Sequence, residues 1–172
     1  MKTQIRIFAM AILLIGISIS TFAQNGSTAT APASANVLIP IAITKTTDMS
    51  FGNLAVSQTS GTVVLSTSGS RTNFGGVTLP SVTGTVSAAS FTVTGEPNFT
   101  YGIILPSTIT LTSVGNDHMT VNTFLSNPSA IGTLSTGGSQ TLSVGATLNV
   151  NFPQGAGTYT NNSDLTVWVN YN

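Results

Sequence analysis

G-T-Y-T-N-N-S-D-L-T-V-W-V-N-Y-N, residues Gly157 to Asn172, is the stretch that decides the fold class. After the polar break Asn161-Asn162-Ser163-Asp164, the residues Leu165, Val167, Val169 and Tyr171 alternate with Thr166, Trp168, Asn170 and Asn172. A period of two is the spacing of a strand, because successive side chains leave a pleated backbone on opposite faces; one face here is apolar and enters a core. No later stretch of the sequence is left to pair with one edge of this strand. Unpaired strand edges template association, so that edge is expected to be covered from elsewhere.

The same alternation recurs upstream. It predicts strands at Thr62 to Leu65, Val77 to Leu79, Ser90 to Thr94, Thr100 to Leu105, Thr108 to Ser113, Met119 to Leu125 and Thr141 to Val150. Between them, Gly95-Glu96-Pro97-Asn98, Gly115-Asn116, Asn127-Pro128 and Gly137-Gly138 are turn signals. Phe51-Gly52 reads as a core aromatic beside a turn or bulge, and Arg71 to Gly76 as a loop. β-Branched Thr, Val and Ile dominate, and no apolar face recurs at helical spacing. Many short strands at regular spacing specify an all-β sandwich or barrel. The residues alone leave those two open.

Met1 to Ala23 has the layout of a secretory signal peptide: Lys2 and Arg6, an apolar run from Ile7 through Ile17, then small residues up to Ala23. The run is shorter than the ~20 residues that a membrane span needs. The expected mature chain, Gln24 to Asn172, is long enough for one domain and contains no membrane span. It opens on a long alternation in which Ala29, Ala31, Ala33, Ala35, Val37, Ile39, Ile41 and Ile43 share one parity. Strands usually run about five or six residues, so the alternation divides into an extension, Gln24 to Asn36, and the start of a domain covering Val37 to Asn172. Pro32 and Pro40 limit how the extension can pair, since a proline in a strand paired on both sides loses a ladder hydrogen bond.

Composition narrows the chemistry. Charged residues make up 5% of the chain, against about 25% in soluble domains. After residue 23 the charged side chains are Lys45, Arg71, Asp48, Glu96, Asp117 and Asp164. Neither nucleic acid nor an anionic membrane would be drawn to such a chain, because both demand dense Lys or Arg. Cysteine is absent, which removes disulfides, thiol catalysis and Cys-based metal sites. A hydrolase would have to recruit the one histidine, His118, with Asp117 or Asp164 to orient it, and no G-x-S-x-G occurs. His118 reads instead as a polar turn residue. Asn116, Asp117 and His118 are consecutive, which is not the spacing of converging ligands, and Gly75-Gly76 lies in no phosphate-binding frame. The expectation is a protein without catalytic residues, metal or cofactor. Trp168 falls on the face opposite the apolar set, so it is a candidate ligand contact.

Several of these stretches together resemble a known family. The closing G-x-Y-x(5)-L-x-V-x-V-x-Y is similar to the last strand of chaperone–usher pilus subunits, with Tyr171 as the penultimate tyrosine. Lys45 to Leu54, Phe91 to Leu105, Met119 to Phe124, Leu142 to Val150 and the C-terminal stretch resemble the family called domain of unknown function 4402, secreted bacterial proteins that look like pilins. Many pilus subunits carry one disulfide, and the lack of cysteine departs from that pattern. The resemblance implies an immunoglobulin-like, pilin-type sandwich that lacks a strand and borrows it from a neighbour. On that basis Ala29, Ala31, Ala33 and Ala35 would form the donor strand, and Leu165, Val167, Val169 and Tyr171 the acceptor edge. The implied partners are identical or related subunits, a periplasmic chaperone and an outer-membrane usher, and the implied location is the cell surface. The alternative is a self-contained secreted sandwich acting as a binding module, with Trp168 recognising a glycan or a protein.

Overall fold

The computed structural model describes residues 26–161 and 165–172. The expected signal peptide, Met1 to Ala23, and Asp164 lie outside the described residues. The chain divides between Asn36 and Val37. Ahead of that boundary, residues 26–36 form no strand and are exposed.

The unit Val37–Asn172 contains eleven strands: β1 (Ala42–Thr47), β2 (Ala55–Leu65), β3 (Arg71–Thr78), β4 (Ala89–Thr94), β5 (Thr100–Ile104), β6 (Thr108–Ser113), β7 (His118–Asn127), β8 (Ile131–Thr133), β9 (Ser139–Val150), β10 (Tyr159–Thr160) and β11 (Trp168–Tyr171). There is no helix among the described residues. All pairings between strands are antiparallel. They build an eight-stranded sheet with the path β1-β4-β9-β7-β6-β10, onto which β2 and β3 are joined through β9, and a three-stranded sheet β11-β5-β8. The fold is an all-β sandwich.

β9 is the spine of the larger sheet. Its first half pairs with β4 through Ser139 to Val144, its second half pairs with β2 through Ala146 to Val150, and β7 runs along its other edge. Leu142, Val144, Ala146, Leu148 and Val150 of this strand are buried. Gly145 lies on the opposite face of the strand, where a Cβ would stand 2.3 Å from the Leu65 carbonyl oxygen, closer than real atoms approach. The register of β7 slips between Asn122 and Leu125, around Thr123 at φ 49. This β-bulge changes the pairing along one side of the spine.

Two buried clusters result. One gathers Phe51, Val63, Leu65, Val77, Ile109, Met119, Val121, Ala146, Leu148 and Val150; the other gathers Phe91, Val93, Tyr101, Leu134, Leu142, Val144 and Val167. Met49, Phe124 and Leu165 pack against both. The second cluster lies between the two sheets, since it draws on β4 and β9 from one and β5 from the other.

Two sequence expectations change. Arg71 to Gly76 is not a loop: Arg71, Thr72, Asn73, Phe74 and Gly75 pair with Leu65, Val64, Val63, Thr62 and Gly61 as part of β3. Gly75 and Gly76 look like breakers, yet at Gly76 a Cβ would meet the Thr59 carbonyl oxygen at 1.8 Å, so the glycines are what lets the two backbones close on each other. The first strand spans Ala42–Thr47, and the last begins at Trp168 rather than Leu165. In both cases the alternation runs on past the ladder, because Ile41 and Leu165 pack against the core without strand pairing.

Tyr101 is fully buried, and its hydroxyl donates 2.8 Å to Gln140 Oε1, which also accepts the Thr133 N–H at 2.9 Å. Gly132 makes room for the ring, since a Cβ there would stand 2.2 Å from it. Burial raises the phenol's pKa above its ordinary value of 10.0. The folded state therefore holds this proton more tightly than the unfolded state does. The contribution is complete below about pH 10 and is lost as pH rises through the higher folded value. Urea unfolding followed from about pH 8 to about pH 11 should show a steeper alkaline loss of stability in the wild type than in Tyr101→Phe. Parallel profiles would refute this.

Candidate functional site

The three-stranded sheet is too narrow to cover the eight-stranded one. Beyond it, a cleft of about 1140 Å³ lies over the inner face of the larger sheet, and most of its floor side chains are buried. The floor is contributed strand by strand: Ala89 and Phe91 from β4, Leu148 from β9, Met119 and Val121 from β7, Ile109 and Leu111 from β6. These are core-forming side chains placed there by strand alternation, so the floor is apolar. One wall is the segment Lys45 to Val56, which continues from β1 at one edge of the sheet. The other is Gln154 to Asn161 with Leu165, held by β10 at the opposite edge.

The first wall is stapled from behind. Ser50 and Ser87 exchange backbone hydrogen bonds at 2.8 and 3.0 Å, Asn53 N–H donates to Thr83 O at 2.7 Å, and its side-chain amide donates to Val82 O at 3.0 Å. Arg71 donates from Nη1 to the carbonyl oxygens of Phe51 and Asn53, the latter at 3.0 Å. Gly52 sits at φ 67, where a Cβ would strike Thr83 O at 2.3 Å, so the bend that turns Phe51 into the core depends on glycine. The second wall is tied by Tyr159, which accepts from Gln154 Nε2 at 2.8 Å and donates to Gly155 O at 2.6 Å, and by Asn161 Nδ2 donating to Thr110 O at 2.5 Å.

A separate group of bonds closes the region around β11. Tyr171 Oη accepts the Glu96 N–H at 2.6 Å and donates to Ile39 O at 2.7 Å, while Ile39 N–H donates to Glu96 Oε2 at 2.9 Å. Gly95 permits this, as a Cβ there would stand 2.2 Å from Tyr171 Oη. Phe99 meets the Tyr171 ring edge-on, with centroids 5.7 Å apart. Ile39 is thereby fastened by both its backbone groups.

The residues singled out in the sequence fall in different places. Ala29, Ala31, Ala33 and Ala35 are exposed and belong to no strand. Leu165 lines the cleft; Val167, Val169 and Tyr171 do not, and pack instead against the cluster between the sheets. β11 ends its sheet, pairing with β5 on one side. Trp168 is exposed on that strand. His118 Nδ1 lies 3.0 Å from Thr112 Oγ1 across the β6–β7 ladder, and Asp117 takes part in the preceding turn through its N–H to Ser113 Oγ. Asp48 pairs with Lys45 on the surface. No three of His, Cys, Asp and Glu gather as metal ligands among the described residues.

No local pattern in the sequence marks the cleft walls. Gly52 was visible beside Phe51 as a turn, but the role of Arg71 depends on a contact 18 to 20 residues away that no local pattern announces. A family model described as Domain of unknown function (DUF4402) matches residues 41–171. No curated protein and no solved structure matches the chain.

Replacing Arg71 with Leu keeps an apolar stem and strands the carbonyl oxygens of Phe51 and Asn53. A hydrogen bond to a charged group is worth about 1.5–3 kcal/mol, so a loss of that order in urea unfolding is expected, with faster amide exchange across residues 50–54. Unchanged exchange there would show that the guanidinium does not hold the wall.

Proposed function

The chain belongs to the domain of unknown function 4402 family, and on that premise we propose that it is an exported structural subunit of a pilus-like surface filament, joined to its neighbours by donor-strand complementation. The observation that carries this reading is the cleft floored by the domain's own core side chains. An extended peptide needs a long apolar floor and backbone edges beside it. In this reading the domain is an immunoglobulin-like sandwich with one strand missing, and the cleft is the place of that strand.

The donor is the segment Gln24 to Asn36 of a neighbouring copy, with Ala29, Ala31, Ala33 and Ala35 facing the floor. Buried Val or Ile would give about 1.5–3 kcal/mol each and alanine less, so an alanine donor relies on its backbone ladder and on shape. The acceptor edge in this reading is Leu165, Val167, Val169 and Tyr171, of which Leu165 also lines the cleft. β11 ends its sheet beside these residues, and Lys45 to Val56 and Gln154 to Asn161 flank the cleft. A periplasmic chaperone would cover the cleft before assembly and an outer-membrane usher would order the subunits; both rest on resemblance to pilus subunits.

Protein spanning Gln24 to Asn172, compared with a version beginning at Val37, separates the outcomes on size-exclusion chromatography and unboiled gels. The longer protein should give a ladder of multimers. The shorter should be an unstable monomer, rescued by a peptide of residues 24–36. Ala33→Arg should abolish the ladder while leaving the receiving domain folded. Stable monomers from both lengths would exclude strand exchange and favour the self-contained binding module.

A further inference from the structure

Strand register fixes which residues share the outer face of the three-stranded sheet. Trp168 stands opposite Ile104, and Asn170 opposite Gly102, which in turn stands opposite Ile131. Directly opposed residues of antiparallel strands project to the same side. Trp168, Ile104 and Ile131 therefore lie together, facing away from the core that takes Val169, Ile103 and Tyr171. Their exposures are 63%, 52% and 57%. Gly102, between them, has no side chain; the position of its missing Cβ is 3.3 Å from Asn172 Oδ1 and 3.4 Å from Asn170 Oδ1. The face thus carries an indole and two isoleucines, with two carboxamides lying over the glycine between them.

We propose that this face binds a neutral glycan, with a sugar ring stacked on Trp168 and its hydroxyl groups hydrogen-bonded by Asn170 and Asn172. An indole offers a flat apolar surface to the C–H face of a pyranose. A carboxamide supplies both donors and an acceptor, which matches hydroxyls that do both. Asn170 is already oriented, since its Nδ2 donates to Tyr171 O at 3.2 Å. The remaining members of the face, Thr100 and Thr133, are uncharged, so nothing here complements an acidic or basic ligand. The patch is also small for a protein partner. A stable protein interface buries about 800 Å² on each side, and three apolar side chains fall well short of that. None of these residues lines the cleft, so the glycan site stands or falls independently of filament assembly.

The chain's one tryptophan makes its fluorescence a direct reporter of this face. Protein spanning Gln24 to Asn172 would be screened on an array of neutral homo-oligosaccharides of glucose, galactose, mannose and xylose, and binders titrated in the presence of acrylamide. A blue shift with saturable protection from quenching is expected. On the same sugar, Trp168→Ala should weaken retention roughly tenfold or more, Trp168→Phe less, and Asn170→Ala measurably. Absence of binding across the array, or undiminished retention of Trp168→Ala, overturns the proposal. Protection that grows with protein concentration and needs no sugar also overturns it, and assigns the face to contact between copies.

Discussion

An apolar sheet face must be kept from water, and in this sandwich the two layers are unequal. The larger sheet presents the inward residues of β4, β9, β7 and β6, while the cover consists of the three strands β11, β5 and β8. Where cover exists, Phe91, Val93, Leu142 and Val144 pack against Tyr101 and Val167 as an ordinary core. Where it stops, the chain compensates with irregular segments brought in from the two edges of the sheet. Those segments cannot pair with each other across the gap, so they must be held by side chains and turns. The staples at Ser50, Asn53, Arg71 and Tyr159 follow from that single mismatch.

Strand class was legible because it depends on a property of single stretches. The alternation in Thr108 to Ser113 or Thr141 to Val150 is set by which side chains tolerate burial, and those strands lie where the pattern puts them. β3 was hidden for a physical reason: its stability comes from the close approach of glycines to β2, and a missing side chain leaves no hydrophobic signature. The cleft was hidden for another. Its floor residues read individually as core, and only the count of strands in each layer reveals that irregular segments, not strands, lie over some of them. Likewise Tyr171 could be seen as a core-facing tyrosine, but not as the anchor of Ile39, 132 residues away.

The scarce charges show how such a surface manages with a single ion pair among the described residues. Of those in the described residues, Arg71 is turned onto the backbone of the cleft wall, Glu96 onto the N–H of Ile39, and Lys45 onto Asp48. Arg71 and Glu96 thus serve as backbone ties, while Lys45 and Asp48 pair with each other. Solvation falls to hydroxyls and amides, and no side-chain polar atom is left buried without a partner among the described residues.

The fastening of Ile39 also has a mechanical meaning. Tyr171 belongs to the smaller sheet, while the strand that follows Ile39 enters the larger one as β1 and pairs with β4. Tension on the backbone ahead of Ile39 is therefore divided between the layers at the first point it reaches. Along β1 it acts parallel to the strand and loads the bonds to β4 together, in shear, rather than peeling them one by one. A domain linked to a neighbour through that segment would resist extension by both sheets at once, without a covalent crosslink between them.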